Sequence, residues 1–291
     1  MLSRPASGNG ACLGSDSVTD ARESLDRRPP QAPTAAWDPA VYTRFSGERS
    51  RPFVDLLGRV RAQSPREVVD MGCGEGTMTA GLADRWPGAH VTGVDSSPEM
   101  LAKAVPVPGR LDFATGDVQE WQPPGRVDVV VSNAVLHWLP GHETLLDRWA
   151  RWLTPGGWLA VQVPGNFRAP THALLADLCR SPRWADRLAD SGPRPDAVLE
   201  PAGYLDVLTA AGLAPDVWET TYLHVLRGED PVLTWVRSTV LRPVLARLAD
   251  DDAEAFTAEY AAALRTAYPP RPDGTTVLPF RRIFAVGSRP A

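Results

Sequence analysis

The chain has 291 residues, 43% of them hydrophobic, and a formal net charge of −5. That length suits one large or two small domains, and the apolar share is ordinary for a globular core. Acids and bases are interspersed without a long basic run, which argues against a nucleic-acid partner. No apolar run approaches the roughly eighteen residues a membrane helix needs.

Residues 1–34 are rich in Pro, Ser, Gly, Arg and Asp and carry no signal-peptide core. Such a segment cannot bury enough apolar surface to offset its ordering entropy, so it is expected to be a disordered tail ahead of one domain over 35–291. Trp37-Asp38-Pro39 opens that domain, with Asp38 as N-cap and Pro39 at the first helical position. Val41, Phe45, Phe53, Leu56, Leu57 and Val60 then recur at helical spacing and predict two short helices.

Next comes Val68-Val69-Asp70-Met71-Gly72-Cys73-Gly74-Glu75-Gly76-Thr77. An apolar β-branched run ends in an acid and passes into three glycines at alternate positions, so a strand enters a tight turn that a ligand can approach closely. A dinucleotide fingerprint would need glycine at position 77, where Thr77 stands. About twenty residues on, where a ribose-binding acid is expected, a second strand ends in Asp95. Its carboxylate can accept from both hydroxyls of a diol. Ser96-Ser97-Pro98-Glu99-Met100 follows, with Ser97 as N-cap and Pro98 at N1. The third strand, Leu111 to Thr115, runs into Gly116-Asp117-Val118, and the fourth, Val127 to Val131, into Ser132-Asn133-Ala134-Val135-Leu136-His137-Trp138.

Thr144 to Leu153 is amphipathic and stops at Thr154-Pro155-Gly156-Gly157; Trp158 to Val163 is the fifth strand. Helical patterns recur around Leu174 to Leu178, at Tyr204 to Leu208, from Pro231 to Ala249 and from Asp252 to Tyr268. Val217 to Leu226 and Thr276 to Gly287 read as strands, with Pro279 confining the start of the second to an edge or bulge. Alternating strands and helices imply an α/β fold with a doubly wound, mostly parallel sheet, whose ligand sits at the carboxyl ends of the strands. Additions near 166–195 and 231–268 are expected to cap that rim as a helical lid.

Cys12, Cys73 and Cys179 show no disulfide or metal spacing, which fits a reducing, cytoplasmic setting. Cys73 reads as a small residue tolerated in the turn rather than a nucleophile. His137 and His142 have no third ligand nearby, so no metal is expected.

The spacing Asp70-x-Gly72-x-Gly74-x-Gly76 resembles motif I of the class I S-adenosylmethionine-dependent methyltransferases. That resemblance implies a seven-stranded Rossmann-like sheet and S-adenosylmethionine as cofactor. Its contacts would be Asp70, Gly72, Gly74, Gly76, Asp95, Ser96, Met100, Asp117 at the adenine amino group, Val118 at the ring edge, and Asn133 and Ala134 along the methionine half. A narrower likeness joins Trp37-Asp38-Pro39-x-x-Tyr42-x-x-Phe45-x-x-x-Arg49-x-Arg51-Pro52-x-x-Asp55-Leu56-Leu57, Ser132-Asn133-Ala134-x-x-His137-Trp138, Gln162-x-Pro164-Gly165-Asn166, Trp218-x-Thr220-x-Tyr222, Thr239-x-Leu241-Arg242-Pro243 and the ending Asp273 to Phe284. These are similar to the trans-aconitate 2-methyltransferases and imply methyl esterification of a small tricarboxylate.

An ionised carboxylate, with a reference pKa of about 4, needs no general base. It needs cationic and hydroxyl clamps, for which guanidinium forks are well shaped. Tyr42, Arg51, His137, Tyr222, Arg242 and Arg282 are the candidates for substrate contact. Two rival readings remain at this level: a different acyl carboxylate such as a malonyl thioester, or a secondary metabolite whose methylation would need His137 as catalytic base. The partner expected is a small polycarboxylate, with neither nucleic acid nor membrane, and a monomer is compatible with everything above.

Overall fold

The computed structural model describes residues 46–291. The expected tail over 1–34, the Trp37-Asp38-Pro39 cap, the helical positions Val41 and Phe45, and Tyr42 lie outside the described residues. In chain order the elements are α1 (Ser46–Leu57), β1 (Glu67–Met71), α2 (Thr77–Arg85), β2 (His90–Asp95), α3 (Pro98–Leu101), β3 (Leu111–Thr115) and β4 (Val127–Asn133). A 3-10 turn at Leu136–Trp138 precedes α4 (Glu143–Trp152) and β5 (Leu153–Pro164). Then come α5 (Pro170–Cys179), α6 (Ala185–Leu188), α7 (Pro201–Ala210), β6 (Ala214–Leu226), α8 (Pro231–Arg237), α9 (Arg242–Leu245), α10 (Asp250–Ala267) and β7 (Thr276–Ser288).

The strands form one seven-stranded sheet in the order β3-β2-β1-β4-β5-β7-β6. β7 alone runs antiparallel, pairing with β5 on one side and β6 on the other. β1 and β4 lie at the centre and are apolar almost throughout, as strands covered on both faces must be. The strand order reverses between β1 and β4, which opens a crevice at their carboxyl ends. β7 meets β5 over Arg282 to Ser288, so the stretch holding Pro279 has β6 as its sole strand neighbour. The missing Pro279 N–H therefore interrupts no inner ladder, as its edge assignment requires.

Two apolar layers sandwich the sheet. One packs α4 and α7 through Leu145, Leu146, Trp149, Tyr204 and Leu208. The other packs α1 and α2 through Phe53, Leu56, Leu57 and Leu82. A third core joins the two additions to each other and to the ends of β6 and β7: Leu175, Cys179, Trp184 and Leu188 meet Trp235, Phe256, Tyr260, Leu226 and Leu278. The segment from Pro231 to Ala249 differs from the single helix its spacing suggests. α8 stops at Arg237, and α9 starts again at Arg242 with Pro243 in its first turn. Pro243 has no N–H to donate and its ring would clash with a preceding helical turn, so the chain breaks before it.

Phe256 is fully buried in the third core, edge-on to Trp184 at 5.3 Å between ring centroids. Phe256→Ala should lower the unfolding free energy by roughly 3–5 kcal/mol in urea titration. A loss under about 1 kcal/mol would mean that this core carries little of the stability.

Candidate active site

The glycine turn after β1 is tied to the neighbouring strand by backbone bonds: Gly72 N and Cys73 N both donate to Val94 O, at 2.7 and 3.0 Å. Gly72, Gly74 and Gly76 have φ of 83°, 58° and 77°, a region costly for residues with a Cβ. Space enforces the same choice. A Cβ on Gly72 would lie 2.2 Å from Val135 Cγ2, and one on Gly76 would lie 2.6 Å from the Phe113 ring.

Asp95, at the end of β2, closes the turn from the other side. Its Oδ2 accepts from Gly74 N at 2.8 Å and its Oδ1 from Ser97 N at 2.9 Å. Each oxygen keeps a further lone pair for a hydroxyl. Ser97 caps α3 by accepting from Met100 N at 3.3 Å, which sets Met100 against the turn, its Cε 3.3 Å from where a Gly74 Cβ would stand. Ser96 is exposed beside them. After β3, Asp117 is exposed with one oxygen accepting from Gln119 N at 2.8 Å, and Val118 is buried behind it.

Asp70 does not open onto this cradle. It is 2% exposed and accepts from Thr79 Oγ1 at 2.7 Å beneath the turn. Burial pushes its carboxyl from an ordinary 3.8 up to about 6, against the Thr79 bond and with a smaller push from the Asp95 charge. Burial also raises the Cys73 thiol well above its usual range, which leaves it a poor nucleophile.

β4 ends at Asn133, whose Oδ1 is buried with no hydrogen-bond partner among the described residues. Ala134 follows with φ 57° and is held there by its N–H donating to Gln162 O at 2.9 Å. An alanine in this conformation is strained, and such strain gathers at functional sites.

Residues paired across a ladder point to the same side of the sheet. Asn133, Gln162, Phe284 and Trp218 therefore form one row on the face covered by α1, and Pro164, Arg282 and Thr220 the next. Phe280 and Tyr222 make a third. Arg282 is 8% exposed and lies over the Phe280 ring at 4.4 Å. Tyr222 is buried and its hydroxyl donates to Asp55 at 2.6 Å, while the Arg51 guanidinium lies 5.0 Å over its ring. The Tyr222 proton is thus committed to α1, and its hydroxyl does not offer the free donor expected of a substrate clamp. Arg242 is half-buried at the start of α9, in the third core's neighbourhood.

His137 sits in the 3-10 turn against Trp138 and Phe167, at 4.7 and 6.0 Å between centroids. Burial drives its pKa down to about 3, helped by the positive charge of Arg282 and by His172 and His142. Burial likewise holds His172 at about 4, and its Nδ1 meets Thr171 Oγ1 at 3.0 Å and Asn166 Nδ2 at 3.5 Å. At neutral pH His137 is therefore an uncharged hydrogen-bonding group, neither the cation nor the strong base that its sequence position allowed. Asp55, Gln162, Asn166 and His172 were not singled out by sequence. A lone amide in the otherwise apolar Leu159-Ala160-Val161-Gln162-Val163 was a signal that could have found Gln162.

Comparison with known proteins places this geometry. Residues 68–157 match a family model described as a methyltransferase domain. The chain is 54% identical over 268 residues to the trans-aconitate 2-methyltransferase of Streptomyces avermitilis, covering 89% of this chain and 99% of that one. It is 50% identical over 251 residues to the Mycobacterium tuberculosis protein of the same name, covering 86% and 95%. The chain belongs to the trans-aconitate 2-methyltransferase family. Among solved structures, the YcgJ protein of Bacillus subtilis shares the fold at a TM-score of 0.53 and 15% identity, over 82% of this chain and 97% of that one. The family is one of S-adenosylmethionine-dependent enzymes, and the cradle fits that cofactor. It has a turn where no Cβ can stand, an acid with spare lone pairs and an orphaned amide oxygen.

Asp70 holds its proton in the folded chain at pH values where the unfolded chain has released it, between 3.8 and about 6. It therefore costs stability increasingly as pH rises through that window. Asp70→Asn, which keeps an oxygen for Thr79, should raise the thermal midpoint more at about pH 8 than at about pH 4. An equal shift at both values would contradict the buried, proton-retaining state.

Proposed function

We propose that this chain methylates one carboxylate of trans-aconitate, taking the methyl group from S-adenosylmethionine. The observation that carries the reading is Arg282: a buried guanidinium on the α1 face of the rim, one strand row from Asn133 and Gln162. A buried cation there is a counter-charge for a polyanion.

When bound, the cofactor supplies a methyl on a cationic sulfur, which an ionised carboxylate oxygen takes up with no proton to remove. Asp95 would hold the ribose diol, Asp117 and Val118 the adenine edge, and Ser96, Met100, Asn133 and Ala134 the rest of the cradle. Gly72, Gly74 and Gly76 let the backbone come close, and Asp70 shapes the turn from below. Arg282 holds a substrate carboxylate, with Arg51, Arg242 and Tyr42 as the further groups that would bind it; Tyr222 sets the position of Arg51 and α1. Orienting two reactants in this way can supply roughly 7–11 kcal/mol of a barrier.

The low pKa of His137 favours a carboxylate over acceptors that must lose a proton, because an imidazole at about 3 is a weak base. Among the described residues no helix is long and apolar enough to cross a membrane, which suits a small, water-soluble acid as substrate.

Incubation with labelled cofactor and a panel of di- and tricarboxylates should yield a methyl ester of trans-aconitate. No transfer to any acid would overturn the reading. At saturating cofactor, kcat should stay level from about pH 8 down to about pH 5.5, whereas a base near the ordinary histidine value of about 6.5 would make it fall. Arg282→Leu should raise KM for the acid about 10- to 100-fold, the loss expected for a charge-assisted bond, with little change in cofactor affinity. An unchanged KM would remove Arg282 from the site.

A further inference from the structure

Gln162 has no evident reason to be a glutamine. It is 1% exposed in β5, and both Nε2 and Oε1 are buried with no hydrogen-bond partner among the described residues. Exchanging the two ends of the amide changes nothing, since neither is satisfied. An unpaired buried amide is strongly unfavourable, and an apolar residue of its size would remove the penalty. Such a group in a native interior calls for a partner that arrives from outside.

Its place in the sheet says what that partner is. Asn133, whose Oδ1 is also unpaired, is its neighbour on the β4 side, towards the crevice and the glycine turn. Arg282 lies one row on across the β5–β7 ladder, on the same face. Gln162 therefore stands between the cofactor cradle and the buried cation. As the ester forms, the reacting carboxylate loses its negative charge; the new oxygen–carbon bond replaces the carbon–sulfur bond, whose electron pair stays on sulfur. A cation gripping that carboxylate would hold the ground state more tightly than the transition state and slow the step. A neutral N–H donor suffers less from the loss of charge.

We propose that Gln162 positions the reacting carboxylate: Nε2 donates to one of its oxygens, leaving the other turned to the methyl, while Arg282 holds a non-reacting carboxylate. The carbonyl Oε1, beside that of Asn133, faces the cationic side of the crevice. This rests on the trans-aconitate reading and assigns its specificity-determining contact.

The test compares wild type, Gln162→Leu and Gln162→Glu by kcat and KM for trans-aconitate across pH, by calorimetry with adenosylhomocysteine, and by thermal midpoint. Gln162→Leu should lose about 10- to 100-fold in kcat while cofactor affinity stays within about threefold. Its thermal midpoint should be no lower than that of wild type, because the orphaned amide is gone. Gln162→Glu should be slow at about pH 8 and recover as pH falls, since a protonated carboxyl donates where the amide did; wild type should show no such rise. The inference is overturned if Gln162→Leu keeps the wild-type kcat, if cofactor affinity falls as far as kcat, or if Gln162→Glu follows the wild-type pH profile. Wild type that leaves trans-aconitate unmethylated sinks the underlying reading instead, so the two failures are told apart.

Discussion

The backbone link between the glycine turn and β2 is the constraint from which the rest follows. Gly72 N and Cys73 N reach Val94 O, and Gly74 N reaches the Asp95 carboxylate, so the ends of two parallel strands are fixed to each other by peptide groups rather than by mobile side chains. Val135 then fills the space that Gly72 leaves empty, which brings the end of β4 against the same turn. Three strand ends converge because no Cβ stands between them. This is the crevice that a doubly wound sheet opens where its strand order reverses.

Around that crevice the protein sorts charge and polarity with little concern for its own stability. On the β1–β2 side are carboxylates, one of them, Asp70, buried deeply enough to resist ionisation. Across β5 and β7 is a buried guanidinium, whose field, together with burial, keeps His137 neutral. Between them lie amides with unmet hydrogen-bonding capacity and an alanine held at φ 57°. Each is unfavourable in the chain alone and becomes favourable against a ligand of matching sign. Departures from good packing of this kind mark working sites, offset by ordinary cores elsewhere.

Much of this was legible in the sequence because the signals were local. The glycines, the acid closing β2, the Ser97-Pro98 cap and the strand periodicities depend on a few neighbouring residues, and the structure repeats them nearly to the residue. What escaped depends on long-range placement. Tyr222 and Asp55 are 167 positions apart, and no local pattern says that the hydroxyl is already taken. Gln162 stands out when burial is known, because its meaning lies in partners it lacks. The helix expected from Pro231 to Ala249 failed for a local reason outweighed in the reading: apolar spacing continued past Pro243, but backbone chemistry could not.

The most direct measurement is a calorimetric titration of adenosylhomocysteine into the wild-type protein and into Asp95→Ala. If Asp95 both fastens the turn and binds the cofactor's hydroxyls, wild type should release heat on saturable binding and the variant should bind at least about a hundredfold more weakly, the sum of two or more charge-assisted bonds. Equal affinity in the two proteins, or no binding in either, would contradict the account.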